Sequence, residues 1–170
     1  TADKIANGAV PPSDDASALT QGILPVDRVP YIGRRNLVIN GAMQVAQRGT
    51  SSTGVTATGY YGPDRWQHVI GGGTYSISQL SDAPNGYPNS LKVACTTTAS
   101  LNPGANYTVS QKIEGLNLQS IAKGTSDAQQ LSWSFWVKSN MTGTYQTNIR
   151  EKDNNRLVGA TYTINSANTW

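Results

Sequence analysis

The chain has 170 residues, of which 37% are hydrophobic and 14% charged, both below the globular norms of roughly 45–50% and ~25%. Neutral polar residues fill the difference, with 16 Ser, 18 Thr, 14 Asn and 10 Gln beside 17 Gly. Only two glutamates are present, Glu114 and Glu151, so a coiled coil is excluded and a helical bundle disfavoured. No apolar run approaches the ~18 residues of a membrane span, and no charged stretch leads into an apolar one as in a signal peptide. The net charge is +3 and the pI about 9.1, but a nucleic-acid surface needs its basic residues clustered. Here Lys and Arg are spread singly apart from Arg34-Arg35. The expectation is no nucleic acid, no membrane insertion and a turn-rich β protein.

Residues 1–33 differ from the rest. They hold Pro11, Pro12, Pro25 and Pro30, four of the chain's acids, and no aromatic before Tyr31. Proline pairs and Ser-Asp-Asp break both helix and ladder. The isolated apolar residues Ile5, Val10, Leu19, Ile23, Leu24 and Val26 are too few for a core of their own. They read as contacts of an extended oligomerising arm, able to reach on the order of 100 Å at ~3.3 Å per residue. A β domain over 34–170 follows, expected to be incomplete at its C-terminal end because Trp170 comes directly after a strand-like run.

In that domain the apolar period becomes two. Leu37, Ile39, Met43 and Val45 alternate around Gly41, which predicts a strand bent by glycine. Strands are further predicted over 64–70, 74–81, 91–95 and 107–113, then 131–137, 145–149 and 160–164. The strongest alternation is Leu131, Trp133, Phe135, Val137. Cys95 alternates with Leu91 and Val93, which reads as a core position; a lone cysteine makes no internal disulfide. Turn chemistry separates the strands at Gly71–Gly73, Asp82–Gly86, Asn102-Pro103-Gly104, Asn140–Gly143 and Asp153–Asn155. One short helical connector is predicted over 116–123. Eight strands at short spacing predict an all-β fold, an antiparallel β-sandwich of jelly-roll type.

Catalytic inventories are thin. His68 is the only histidine, and in an alternating stretch with Trp66 and Ile70 it reads as structural. No Gly-Lys-Ser/Thr loop exists for phosphates. Two carboxylates at glycosidase spacing would have to come from Asp64, Glu114, Glu151 and Asp153, two of which fall at one hairpin end. The chain reads as a non-enzyme without cofactor, while the oxygen-rich turns leave room for a structural calcium ion.

Aromatic residues on polar faces carry more. If 131–139 pairs with 144–151 through the turn at 140–143, Val137 faces Tyr145 and Trp133 faces Ile149 inside. Trp136 then lies outside beside Gln146, with Asn148 and Arg150 further along. An indole next to amides and a guanidinium suits a sugar ring; alternatively Trp136 packs under a loop, in a subunit contact or in the core. Tyr60, Tyr61 and Tyr87, in Gly/Pro-rich segments, supply either ligand contacts or ordinary turn packing.

Residues 35–51, Arg-Asn-Leu-Val-Ile-Asn-Gly-Ala-Met-Gln-Val-Ala-Gln-Arg-Gly-Thr-Ser, followed by Gly62-Pro63-Asp64-Arg65-Trp66, resemble a domain found near the ends of bacteriophage tail fibre proteins. Residues 131–139 and Asn168-Thr169-Trp170 are similar to landmarks of carbohydrate-binding-module-like jelly rolls, in which another strand normally follows the last tryptophan. The phrases at 2–10 and 18–30 are similar to fibre linkers. The resemblance implies a virion tail fibre subunit, extracellular in the mature particle. It implies a homotrimer, attachment to other virion tail proteins through the N-terminal arm, and adsorption to a host cell-surface glycan. It transfers no sugar-contact residue, and Asp64-Arg65-Trp66 serves equally well to hold the fold, with Asp64 and Arg65 pairing or capping a turn. The rivals are a purely structural collar or connector and a depolymerase fragment.

Overall fold

A computed structural model describes residues 36–100, 103 and 105–170. The oligomerising arm expected over 1–33 lies outside the described residues. Among the described residues, eight antiparallel strands form three small sheets. The first sheet places β4 (Thr74–Leu80) between β1 (Ser51–Val55) and β5 (Ser90–Thr97). In the second, β3 (Gln67–Ile70) lies between β2 (Gly59–Tyr60) and β6 (Tyr107–Ser110). The third is a ribbon of β7 (Gly143–Glu151) and β8 (Arg156–Ile164). The expected all-β class is thus the class observed. The strands fall into three sheets, however, where a jelly roll distributes eight over two. A 3-10 helix at Gly115–Ile121 is the predicted helical connector. No helix among the described residues is long and apolar enough to cross a membrane.

The core among the described residues is small and sits mainly around the first two sheets, with Ile164 of β8 buried as well. Ile77 on β4 is fully buried, His68 on β3 is buried, and Val55 and Trp66 are nearly so. The rings of Tyr75 (β4) and Tyr107 (β6) lie 4.3 Å apart and join one sheet to the other. Gly62 closes over Ile77: a Cβ there would lie 3.3 Å from the isoleucine Cγ2, and its φ is +65°. Left-handed backbone costs an L-residue about 1–2 kcal/mol, so Gly62→Ala is expected to destabilise the fold by about 1–2 kcal/mol in urea titrations of the full chain. An unchanged midpoint would mean that the connection relaxes freely.

Two predicted strands are not strands. Residues 37–45 form turns, because the polar groups of this backbone are met by side-chain amides rather than by a neighbouring ladder. The Gln111 amide accepts from Ile39 N and donates to Ile39 O, both at 2.7 Å. Gln79 donates to the carbonyls of Met43 and Gln44. Asn40, in the left-handed region at φ 56°, accepts from Val45 N and donates to Val45 O and Asp64 O. Its own carbonyl receives the Trp66 indole N–H. The glutamines therefore strap one loop to both three-stranded sheets.

Residues 131–139 are likewise outside any ladder. β7 pairs with β8 along its whole length, Tyr145 opposite Tyr162 and Asn148 opposite Gly159, so the pairing predicted between 131–139 and 144–151 does not occur. The segment instead lies against one face of the ribbon. The Trp133 indole N–H donates to Thr147 Oγ1 at 2.9 Å, and Phe135 meets Tyr162 edge-on at 5.1 Å. Its end is pinned by Asn168 N donating to Ser139 O and by Lys138, which pairs with Asp82 at 2.5 Å. Lys138 also lies 4.9 Å from the centre of the Trp170 ring. In place of these two predicted strands the chain forms β1 and β2, from Ser/Thr/Gly-rich sequence with little alternation.

Cys95 is exposed rather than buried. It shares a face with Leu91 and Val93, but it sits where the register shifts between Thr74 and Tyr75, at the end of the paired region. Asp64 and Arg65 do not pair with each other: Asp64 Oδ1 accepts from Gln47 N, and Arg65 bonds Glu114.

Candidate functional site

A concavity of about 380 Å³ is built from four pieces of chain. The turn after residue 46 contributes Gln47 and Arg48, and β2 contributes Tyr60. The β2–β3 connection brings Asp64 and Arg65 above a floor of Gly62 and Pro63. The stretch after β6 adds Lys112 and Glu114. Hydrogen bonding fixes this meeting. Asp64 N donates to Val45 O at 2.8 Å and Asp64 Oδ1 accepts from Gln47 N at 3.2 Å, holding the turn against the connection. Arg65, itself left-handed at φ 76°, reaches across to Glu114 Oε1 at 2.5 Å and to the Lys112 carbonyl at 3.4 Å.

The electrostatics follow from these contacts. The Arg65 guanidinium, with the backbone amide of Glu114 and the Asn117 amide, holds the Glu114 carboxyl below its ordinary range. Glu114 is therefore ionised and accepts hydrogen bonds; a general acid needs the opposite shift. The Arg48 guanidinium lies over the Tyr60 ring, 5.8 Å from its centre, within cation–π range. Arg65–Glu114 is the ion pair of this cleft; among the described residues Arg48 and Lys112 have none. Tyr60 is 39% exposed and shares the cleft with Arg48, Lys112 and the carboxyl groups of Asp64 and Glu114.

The residues singled out from sequence are dispersed. Tyr60 lines the cleft, whereas Tyr61 turns away, its hydroxyl donating to Ala57 O and its ring tilted beside His68. Trp136, 59% exposed, borders a second hollow of about 320 Å³ with Tyr87, Ser134 and Phe135. Gln146, Asn148 and Arg150 alternate with Tyr145 and Thr147 along β7, whereas Trp133 and Phe135 meet Thr147 and Tyr162 on the opposite face. The ribbon thus separates these three side chains from the segment carrying Trp136. Gln146 lies against Gly159, and Arg150 donates to Asn155 Oδ1. Of the four carboxylates considered for catalysis, Asp64 and Glu114 come together in the cleft. Glu151 is held at the ribbon end by Lys123 and Asn154, both of which lower its pKa. No group of three or more His, Cys, Asp or Glu poised for a metal ion occurs among the described residues.

Sequence alone marks neither Arg48 nor Lys112 as a ligand contact. For the first, two short runs well separated in the sequence, Gln47-Arg48 and Gly62-Pro63-Asp64-Arg65, converge on this one cleft. No comparable signal marks Lys112. Comparison of the chain with protein-family models, with curated proteins and with solved structures finds no match.

Proposed function

We propose that the chain is a non-enzymatic subunit of a phage virion fibre, assembling as a trimer, and that its β domain contributes to recognition of host-surface polysaccharide. What supports the virion part is the sequence resemblance at 35–51 and 62–66. What carries the binding part is one arrangement: the partly exposed Tyr60 ring flanked by Arg48, Lys112 and the ionised Glu114 around the cleft. An aromatic face takes the C–H side of a sugar ring while charged and polar groups take its hydroxyls. Arg65, held in strained left-handed backbone to bond Glu114, accords with a preorganised site.

The full chain is expected to bind glycans on an array and to compete with phage for adsorption to host cells. Tyr60→Ala should weaken glycan binding by at least about tenfold, corresponding to about 1.4 kcal/mol of lost contact, with Trp136→Ala close to wild type. The reverse ranking would move the site to the hollow at Trp136 and Tyr87. Absence of any glycan binding or adsorption competition would leave the collar or connector reading in its place. Depolymerisation of host polysaccharide that vanishes on Glu114→Gln would establish an enzyme instead.

A further inference from the structure

We infer that the cleft selects sugars bearing a carboxylate, seating the ring on Tyr60 and the acid group between Arg48 and Lys112. The inference rests on the glycan-binding reading and adds the substrate class. Arg48 is held over the aromatic ring by its cation–π contact and carries no ion pair among the described residues, and the same holds for the missing ion pair of Lys112. A guanidinium offers a carboxylate two parallel hydrogen bonds, and an ammonium beside it adds a point charge. Arg65 is not available for this role, because Glu114 already occupies it at 2.5 Å.

The negative groups narrow the class further. Asp64 and Glu114 stand in the same cleft as Arg48 and Lys112. A polyanion with one charge on every backbone unit would meet those acids at close quarters, where like charges repel. A saccharide carrying a single acid group and several hydroxyls fits the mixture: its carboxylate goes to Arg48 and Lys112, and its hydroxyls donate to the acidic side. Carboxylated and sulfated sugars share the anionic chemistry; the fork geometry of Arg48 favours the planar carboxylate.

The test uses the full chain and paired oligosaccharides: neutral oligosaccharides carrying a single hexuronate residue, the same oligosaccharides with that carboxyl reduced to a hydroxymethyl group, and the same neutral oligosaccharides carrying a single sulfate. Binding is measured by calorimetry at low and high salt. The expected result is at least about tenfold tighter binding of the carboxylated form than of its reduced partner, with the gap narrowing as salt screens the exposed cations. Arg48→Gln and Lys112→Gln should each shrink that gap severalfold without changing the melting temperature, while Lys92→Gln, on β5 outside the cleft lining, should leave it intact. Equal affinity for carboxylated and reduced forms overturns the inference but not the glycan-binding reading. Equal affinity for sulfated forms, or an equal loss in Lys92→Gln, shows general anion attraction and also overturns it. Failure to bind any member of the panel or of a wider glycan array overturns both.

Discussion

Ile77→Ala is expected to cost about 2–5 kcal/mol of folding stability, the range for truncating a buried isoleucine. Ile77 has no solvent exposure. It sits on the central strand of its sheet, opposite Ser52 on one side and Val93 on the other. The backbone of Gly62 closes over it, 3.3 Å from a notional Cβ to Cγ2. Ladder bonds on both sides keep β4 from collapsing into a vacated space, so the removed methyl groups leave a cavity rather than a rearrangement. For a chain of this size the loss corresponds to a drop of roughly 4–20 °C in Tm. Chemical denaturation of the full chain, followed by near-ultraviolet circular dichroism of the buried Trp66, would measure it. Val158→Ala on the ribbon, 76% exposed, should stay within about 0.5 kcal/mol of wild type. Equal losses in the two variants would mean that the hydrophobic centre is not where β4 places it.

Acidification from pH 7.5 to 5 is expected to destabilise the domain through His68. Its ring is buried, and Nδ1 shares a 2.6 Å hydrogen bond with the Tyr107 hydroxyl. Burial pushes the Tyr107 phenol well above its usual range, so it stays protonated. Nε2 has no hydrogen-bond partner among the described residues. Burial lowers the His68 pKa below 6.5, outweighing the nearby Tyr61 backbone, which pulls the other way.

The sign follows from linkage. Unfolded chains take up the proton near pH 6.5 and the folded state only at lower pH. The stability contributed by neutral His68 is therefore complete above about pH 6.5. It falls with acidification, by up to about 1.4 kcal/mol for each pH unit crossed before the folded state also protonates. Asp82, Glu114 and Glu151 have lowered folded-state values and act in a separate window, below ordinary carboxylate values of 3.8 to 4.5. Urea midpoints at pH 7.5, 6 and 5 should decline for wild type and stay level for His68→Phe. A decline of the same size in that variant would assign the effect to another group.

The candidate site was only partly legible before folding. Tyr60 was named for its place in a Gly/Pro-rich segment, as a ligand contact or as ordinary turn packing, and the structure puts it on the cleft wall. Arg48 and Lys112 were not, because isolated cations in a polar chain look alike until something places them around one space. Arg48 reaches the cleft through a turn tied to Asp64, and Lys112 through the stretch leaving β6. Gln146, Asn148 and Arg150 show the converse. Their alternation on β7 was read correctly, but their juxtaposition with Trp136 depended on a hairpin partner, and β7 took β8 instead.

Local chemistry by itself determined that this chain builds short extended segments separated by turns. Polar residues without helix formers, period-two apolar spacing and Gly/Pro/Asn breaks all act over a few residues, and six of the predicted strands lie where β3 to β8 form. Which extended segment has a hydrogen-bonded neighbour was decided only in three dimensions. Period two records that side chains of an extended chain point alternately to opposite sides, and it does so whether or not a ladder runs alongside. Residues 131–139 keep that alternation to lay Trp133 and Phe135 on the ribbon. Residues 37–45 give their backbone groups to Gln79, Gln111 and Asn40, which are distant or unremarkable in the sequence. Long-range amide contacts of that kind leave no periodic trace.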